Sequence, residues 1–433
     1  MAEHLGYDEF PVRRFEAYPR GAALAAAILL VLGTIAFVAA LLTDPARAWR
    51  AYLHNWLFFT SISSGAVMLA GVVTMARGLW SQPIRRIAVS FVSFLPIAWL
   101  LFIPLLLVSG RYYFPWTHEA LPKGKEIWLN VPFVVGRNLV FFGAFVVVAL
   151  AFAYWSVRPD VGVLREEHAG PEPGIWSRFT GGWRGAEREE IRASHNTATL
   201  APIMALLYAV SLSLVAFDLV MSLDPEWKST LIGGYFFMGA FLGGIAATAL
   251  VTTIYRRVLE LEDAILPGNY HDLGKLHFAF NIFWAYLFWA QFIVIWYGLL
   301  PGEQRFVIHR FASPNGAMAL IVLFCLFVVP FFGMLGVKPK RTPGILAFFN
   351  VVVLAGLWIE RWLLIYPSWY PRTKVWLGWQ ELGVGLAFAG LLVASLVWFA
   401  ARFPVLQLWR PVAELELLGR PEDAPGEEVT QPT

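Results

Sequence analysis

Residues 272–299 read DLGKLHFAFNIFWAYLFWAQFIVIWYGL. From Leu276 to Gly302 no Asp, Glu, Lys or Arg interrupts the run. At about 1.5 Å per residue, a helix of that stretch exceeds a hydrocarbon layer of roughly 30 Å. Runs of the same kind lie at 21–43, 51–76, 87–109, 132–157, 196–223, 229–255, 314–336, 343–366 and 379–402, which makes ten spans in all. The 433-residue chain is 58% hydrophobic and only 15% charged, against about 25% charged for an ordinary soluble domain. The fold class this implies is an all-α polytopic membrane protein.

Ten is an even number, so both ends share a side. Lys and Arg mark cytoplasmic connections. One alternate set of connections, with the two termini, carries 20 of them and the other set carries 10. Both termini are therefore expected in the cytoplasm, with residues 1–20 leading in and 403–433 as a tail. The ten-helix domain, 21–402, is expected to carry a solvated cytoplasmic linker over 158–194. The first span reads as a retained anchor, because its apolar stretch is longer than a signal peptide's and acidic Glu3, Asp8 and Glu9 precede it.

A net charge of +3 provides no broad basic surface for a phosphate backbone, so nucleic acid is not an expected partner. The single cysteine, Cys325, cannot alone hold an iron–sulfur cluster, attach haem c, complete a zinc site or form an internal disulfide. It reads as a small apolar residue.

Charged side chains at membrane depth cost several kcal/mol unless paired or wetted, so each one is a functional hypothesis. Arg137, Asp218 and the pair Glu360–Arg361 each lie roughly 7–9 Å inside the outer boundary by helical rise. They are expected to share one layer. Two readings stand: a proton half-channel in which the guanidiniums tune the carboxylates, or buried salt bridges that fix packing. Glu381 reads as interfacial. A second group, His271, Asp272, Lys275, His277 and Asn281, gathers at the cytoplasmic start of the seventh span. It suits a wet proton inlet or ordinary interfacial pairing at a helix end. Gln291 extends a polar path outward or makes one helix–helix hydrogen bond. Haem b would need two facing neutral imidazoles, and only His195 and His277 lie near spans on one side.

Two strings carry a resemblance: FDLVMSLDPEWKSTLIGGYFFMG at 217–239 and HDLGKLHFAFNIFWAYLFWAQFIVIWYGLLP at 271–301. With AWRAYLHNWLFF, QPIRRIA and GLWIERWLLIYPSW, the chain resembles the large membrane subunits of alternative complex III. That complex is a bacterial quinol:electron-acceptor oxidoreductase within the polysulfide-reductase membrane-subunit superfamily. The resemblance implies two four-helix bundles, spans two to five and six to nine, flanked by the first and last spans. In the C-type subunit, the second span offers a histidine to quinol; here the matching stretch is TSISSGAVM, with Ser64 in that place. A serine cannot take the quinol proton near neutral pH as imidazole does. The chain therefore resembles the F-type subunit.

That resemblance implies a membrane subunit without a redox cofactor of its own, acting in assembly and proton movement in the bacterial cytoplasmic membrane. Its implied partners are membrane lipid, a homologous C-type subunit, an iron–sulfur subunit and haem c subunits, with quinol as the one small molecule it allows. The residues carried over by the resemblance are Asp218 and Asp224 in FDLVMSLDP, Asp272, Lys275 and His277 in HDLGKLHFAF, and Glu360 and Arg361 in WIERW; Arg137 joins the proton-path candidates from its depth alone. Two other functions compete. One is a quinol-oxidising anchor with its site around Arg137 and Asp218. The other is a stand-alone proton-coupled transporter, which would favour matched helix breaks in two halves.

Overall fold

The computed structural model describes residues 14–15, 19–118, 121, 124–167, 174–370 and 374–418. Most of the leading segment and the tail from residue 419 onward lie outside the described residues. Among the described residues, ten helices are long and apolar enough to span a bilayer: α1 Arg20–Thr43, α2 Pro45–Met75, α3 Leu79–Leu107, α4 Val131–Glu166, α5 Ala186–Leu223, α6 Leu231–Val258, α7 Pro267–Gly298, α8 Gly316–Gly333, α9 Pro343–Trp369 and α10 Trp379–Arg402. The described residues contain no strand. With no water to satisfy backbone groups in hydrocarbon, helices that close their own hydrogen bonds are what such sequences form.

The helices sort into α2–α5 and α6–α9, joined where α2 packs along α6. That seam is made of small residues. A Cβ on Gly65 would overlap the carbonyl oxygen of Ala240, and one on Gly244 would overlap the backbone of Gly65. The apolar window of α2 is 89% buried and that of α1 only 17%, so α2 is central and α1 peripheral. The flanking helices α1 and α10 pack on each other, with Gly33 against Ala387 and Gly390 against Ala26, and α10 also packs on α2.

Two spans are interrupted. In α3 a 3₁₀ turn, Phe91–Phe94, precedes Pro96, and in α8 a π turn, Phe324–Val328, precedes Pro330. These are the second helix of one bundle and the third of the other, not corresponding positions.

On the face expected to be cytoplasmic, the structure departs from the solvated linker read at 158–194. Helices α4 and α5 continue past the expected span ends, to Glu166 and from Ala186, because their charges pair across the gap. Arg158 holds Glu189 through Nε at 2.7 Å and Nη2 at 3.2 Å and also donates to the Phe179 carbonyl at 2.7 Å. Arg86 donates to Asp160 at 2.6 Å, with both side chains fully buried. The chain after α10 is likewise not loose at its start. Asp160 accepts from the backbone N–H of Leu408 and Trp409 at 3.3 Å, and Arg85 pairs with Glu414 at 2.6 Å.

Candidate functional site

Arg137 lies in the second turn of α4 and Asp218 in the last turn of α5, so antiparallel packing of the two helices brings them level. The Arg137 guanidinium grips the carboxylate with two donors, Nε to Oδ2 at 2.7 Å and Nη2 to Oδ1. Asn138 adds a third donor to Oδ2. The remaining guanidinium nitrogen donates to the Trp128 carbonyl at 3.0 Å, and the Trp128 ring lies 3.8 Å beneath the cation. Every lone-pair direction facing a donor is used. A bidentate pair of this kind is strong and directional.

Glu360 and Arg361 are neighbours on α9, and their side chains meet, with Nη1 donating to Oε2 at 2.7 Å. Arg361 also donates to the Phe236 carbonyl of α6 at 3.2 Å. The second carboxylate oxygen, Oε1, is buried without a protein hydrogen-bond partner. Glu360 borders a cavity of about 60 Å³, together with Tyr235, Trp284, Gln291, Phe306 and Arg310. Trp284 Nε1, Gln291 Oε1 and Arg310 Nε are also buried there without a protein partner. A space of this size and polarity suits about two waters, and buried polar groups without protein partners are where internal water resides.

Arg310 belongs to the short helix Pro301–Phe311. It donates to the carbonyls of Leu364 at 2.6 Å and Phe306 at 3.0 Å, and it reaches Ser368 Oγ at 2.9 Å. Burial lowers this guanidinium to about 9, against the opposing pull of Asp224, so it stays charged at neutral pH. Of the residues expected in one layer, the structure pairs Arg137 with Asp218 in the first bundle and Glu360 with Arg361 in the second. Each pair forms, but no hydrogen bond or ion pair joins one to the other.

Toward the opposite face of the same bundle, further polar atoms lack protein partners. They are Thr248 Oγ1 on α6, both ring nitrogens of His277 and Oδ1 of Asn281 on α7, and both amide atoms of Asn350 on α9. Gly239, Trp284 and Arg361 adjoin one another on these three helices. Thr248, His277 and Asn350 lie on the order of 10–17 Å below that level by helical rise. By depth, these unpartnered atoms form a column of levels beneath the Glu360 cavity, on the three helices that meet there. Asp272 and Lys275 pair at 2.7 Å with 31% and 56% of their side chains exposed, so they sit at the wet mouth of α7. His277 is fully buried, whereas His195 is exposed, so the two do not make an axial pair. Among the described residues no group of three His, Cys, Asp or Glu side chains converges as metal ligands.

Glu381, read as interfacial, is fully buried. It accepts from Arg47 Nε at 3.0 Å and Nη2 at 2.9 Å, from Tyr366 Oη at 2.8 Å and from the Gly378 N–H at 2.7 Å. Ser64 lies on the α2–α6 seam, with its hydroxyl and those of Thr60, Ser61 and Ser63 buried without protein partners. Arg310 escaped the sequence reading because it was counted as a loop charge. Its spacing four residues after Phe306, in the amphipathic string RFVIHRF, was the available signal.

The family model described as "Polysulphide reductase, NrfD" matches residues 41–370, which takes in α2 through α9 and leaves α10 and nearly all of α1 outside. No curated protein matches the chain.

Proposed function

Because the chain belongs to the NrfD polysulphide reductase family, whose members are membrane subunits that partner redox subunits, we propose that it serves a quinol:electron-acceptor oxidoreductase of the alternative complex III kind as its F-type subunit. In this reading it lies in the bacterial cytoplasmic membrane with both termini inside. It binds no redox cofactor of its own and assembles with a C-type homologue, an iron–sulfur subunit and haem c subunits. Electron transfer takes place in those partners; this chain moves protons.

The observation that supports this reading is the column of buried, unpartnered polar atoms in the second bundle, from His277 and Asn350 to Glu360. Each such group left dry costs about 1–3 kcal/mol, so a column of them is stable when water threads it. Protons enter at Asp272 and Lys275, pass His277 and Asn281, and rest on Glu360, whose free oxygen takes the proton while Arg361 holds the other. The test is the complex in proteoliposomes, measuring protons moved per electron. Glu360→Gln is expected to lower that ratio while quinol oxidation continues at its usual rate. An unchanged ratio overturns the reading.

A second reading draws on the same cavity. Its aromatic walls with Glu360, Gln291 and Arg310 supply the contacts a planar carbonyl headgroup needs once the side chains open the space beyond its present 60 Å³, which moves the quinol-anchor alternative from Arg137 and Asp218 to this place. Competition by a quinone analogue that disappears in Arg310→Leu would favour it.

A further inference from the structure

Beside the outer end of the second bundle lies a larger recess of about 480 Å³, walled by Phe217, Met221, Leu231, Val294 and Ile295. Its rim carries Lys125, Lys228 and Glu303 with the hydroxyls of Ser229 and Thr230. We propose that this recess is a selective binding site for a phospholipid of single negative charge, the phosphodiester lying between Lys125 and Lys228 and one acyl chain along Phe217, Met221 and Ile295.

Three observations carry it. Among the described residues neither lysine is in an ion pair, and two ammonium groups on one rim repel until an anion lies between them. Burial first, and Lys228 second, lower the Lys125 ammonium below its ordinary value. Lys125 is held in place by the Pro225 carbonyl at 2.6 Å, so one of the two charges is fixed in direction. The lining holds two lysines and one carboxylate, Glu303, while Asp224, which also acts on Lys125, is paired with Arg305 at 3.9 Å; the lining itself keeps one net positive charge, which complements a monoanionic phosphodiester and not a zwitterion. Finally, the cavity is apolar in depth and polar at its edge, at the level where Trp128 and Lys228 mark the membrane boundary. A second groove shows the contrast: about 380 Å³, lined by Ser93, Ile97, Leu391, Ala394, Ser395 and Trp398, it has no charged residue and selects no headgroup.

The inference is independent of the proton reading. Its test is native mass spectrometry of the full chain, in the complex with which it purifies, after delipidation and incubation with phosphatidylglycerol, phosphatidylcholine or inorganic phosphate. Phosphatidylglycerol is expected to be retained about tenfold over phosphatidylcholine, the scale set by two interfacial lysines. Lys228→Gln, at an exposed residue, is expected to remove most of that preference, and Glu303→Gln to increase it. Equal retention of the two lipids by the unaltered chain overturns the proposal. Displacement of phosphatidylglycerol by millimolar phosphate also overturns it, reassigning the rim to a soluble anion.

Discussion

Asp218 and Glu360 are both carboxylates buried beside an arginine, yet they differ in one countable respect. Asp218 receives three close side-chain donors spread over both oxygens, with Trp128 beside them; Glu360 receives one close donor, Arg361, on one oxygen, and its other oxygen borders a cavity that the Tyr235 hydroxyl shares. A proton that lands on Asp218 must evict an arginine or amide donor, whereas one that lands on Glu360 Oε1 asks only that the Tyr235 hydroxyl turn. The same chemistry beside the same partner type is therefore a filled clamp in one bundle and a carboxylate with room at one oxygen in the other, the position the proposed proton path uses. What separates them is the number of donors, not depth.

That contrast breaks most visibly at Asp218. Asparagine has one acceptor oxygen, so Asp218→Asn turns an NH₂ toward an Arg137 or Asn138 donor and leaves a buried cation uncompensated. A loss of about 3–5 kcal/mol is expected, read as a large drop in thermal midpoint or in folded yield. Glu381, filled by Arg47, Tyr366 and Gly378, belongs with Asp218, and Glu381→Gln is expected to cost about 3 kcal/mol by the same measurement. If it unfolds no earlier than the parent chain, donor count is not what matters.

Glu360→Gln sharpens the comparison from the other side. The amide oxygen still accepts from Arg361 and the NH₂ points into the cavity, but the buried guanidinium loses its counter-charge, so a loss of about 1.5–3 kcal/mol is expected, smaller than at Asp218. The proton-to-electron ratio falls. Smallest of all is Asp272→Asn, which removes an exposed i,i+3 pair worth roughly 0.2–1 kcal/mol. Its expected mark is a slower proton uptake rate measured by stopped flow, with no measurable change in unfolding.

Much of this architecture was legible in the chain. Apolar length located all ten spans, whereas the small-residue string FLGGIAA, which forms the close seam, was not singled out. What could not be read was partnership. Arg137 finds Asp218, Arg158 finds Glu189 and Arg47 finds Glu381 across sequence separations that no local pattern encodes. The 158–194 segment looked solvated because alternating Arg and Glu look the same whether they face water or each other. Glu381 looked interfacial because its first-turn position is ordinary for an acid, and only the fold brings Arg47 and Tyr366 over it. His277 and Glu360 stood out because polar residues inside apolar runs are conspicuous, whereas Arg310 did not, because its helix lies between spans.

The glycine seam between α2 and α6 limits how any energy conversion here can work. Backbones that already touch at Gly65, Ala240 and Gly244 have no slack for one bundle to rock over its neighbour. The two halves therefore behave as a single keel. Vectorial transfer through such a body is left to side-chain rotation and to the ordering of a few trapped molecules, movements of ångströms on a fixed frame.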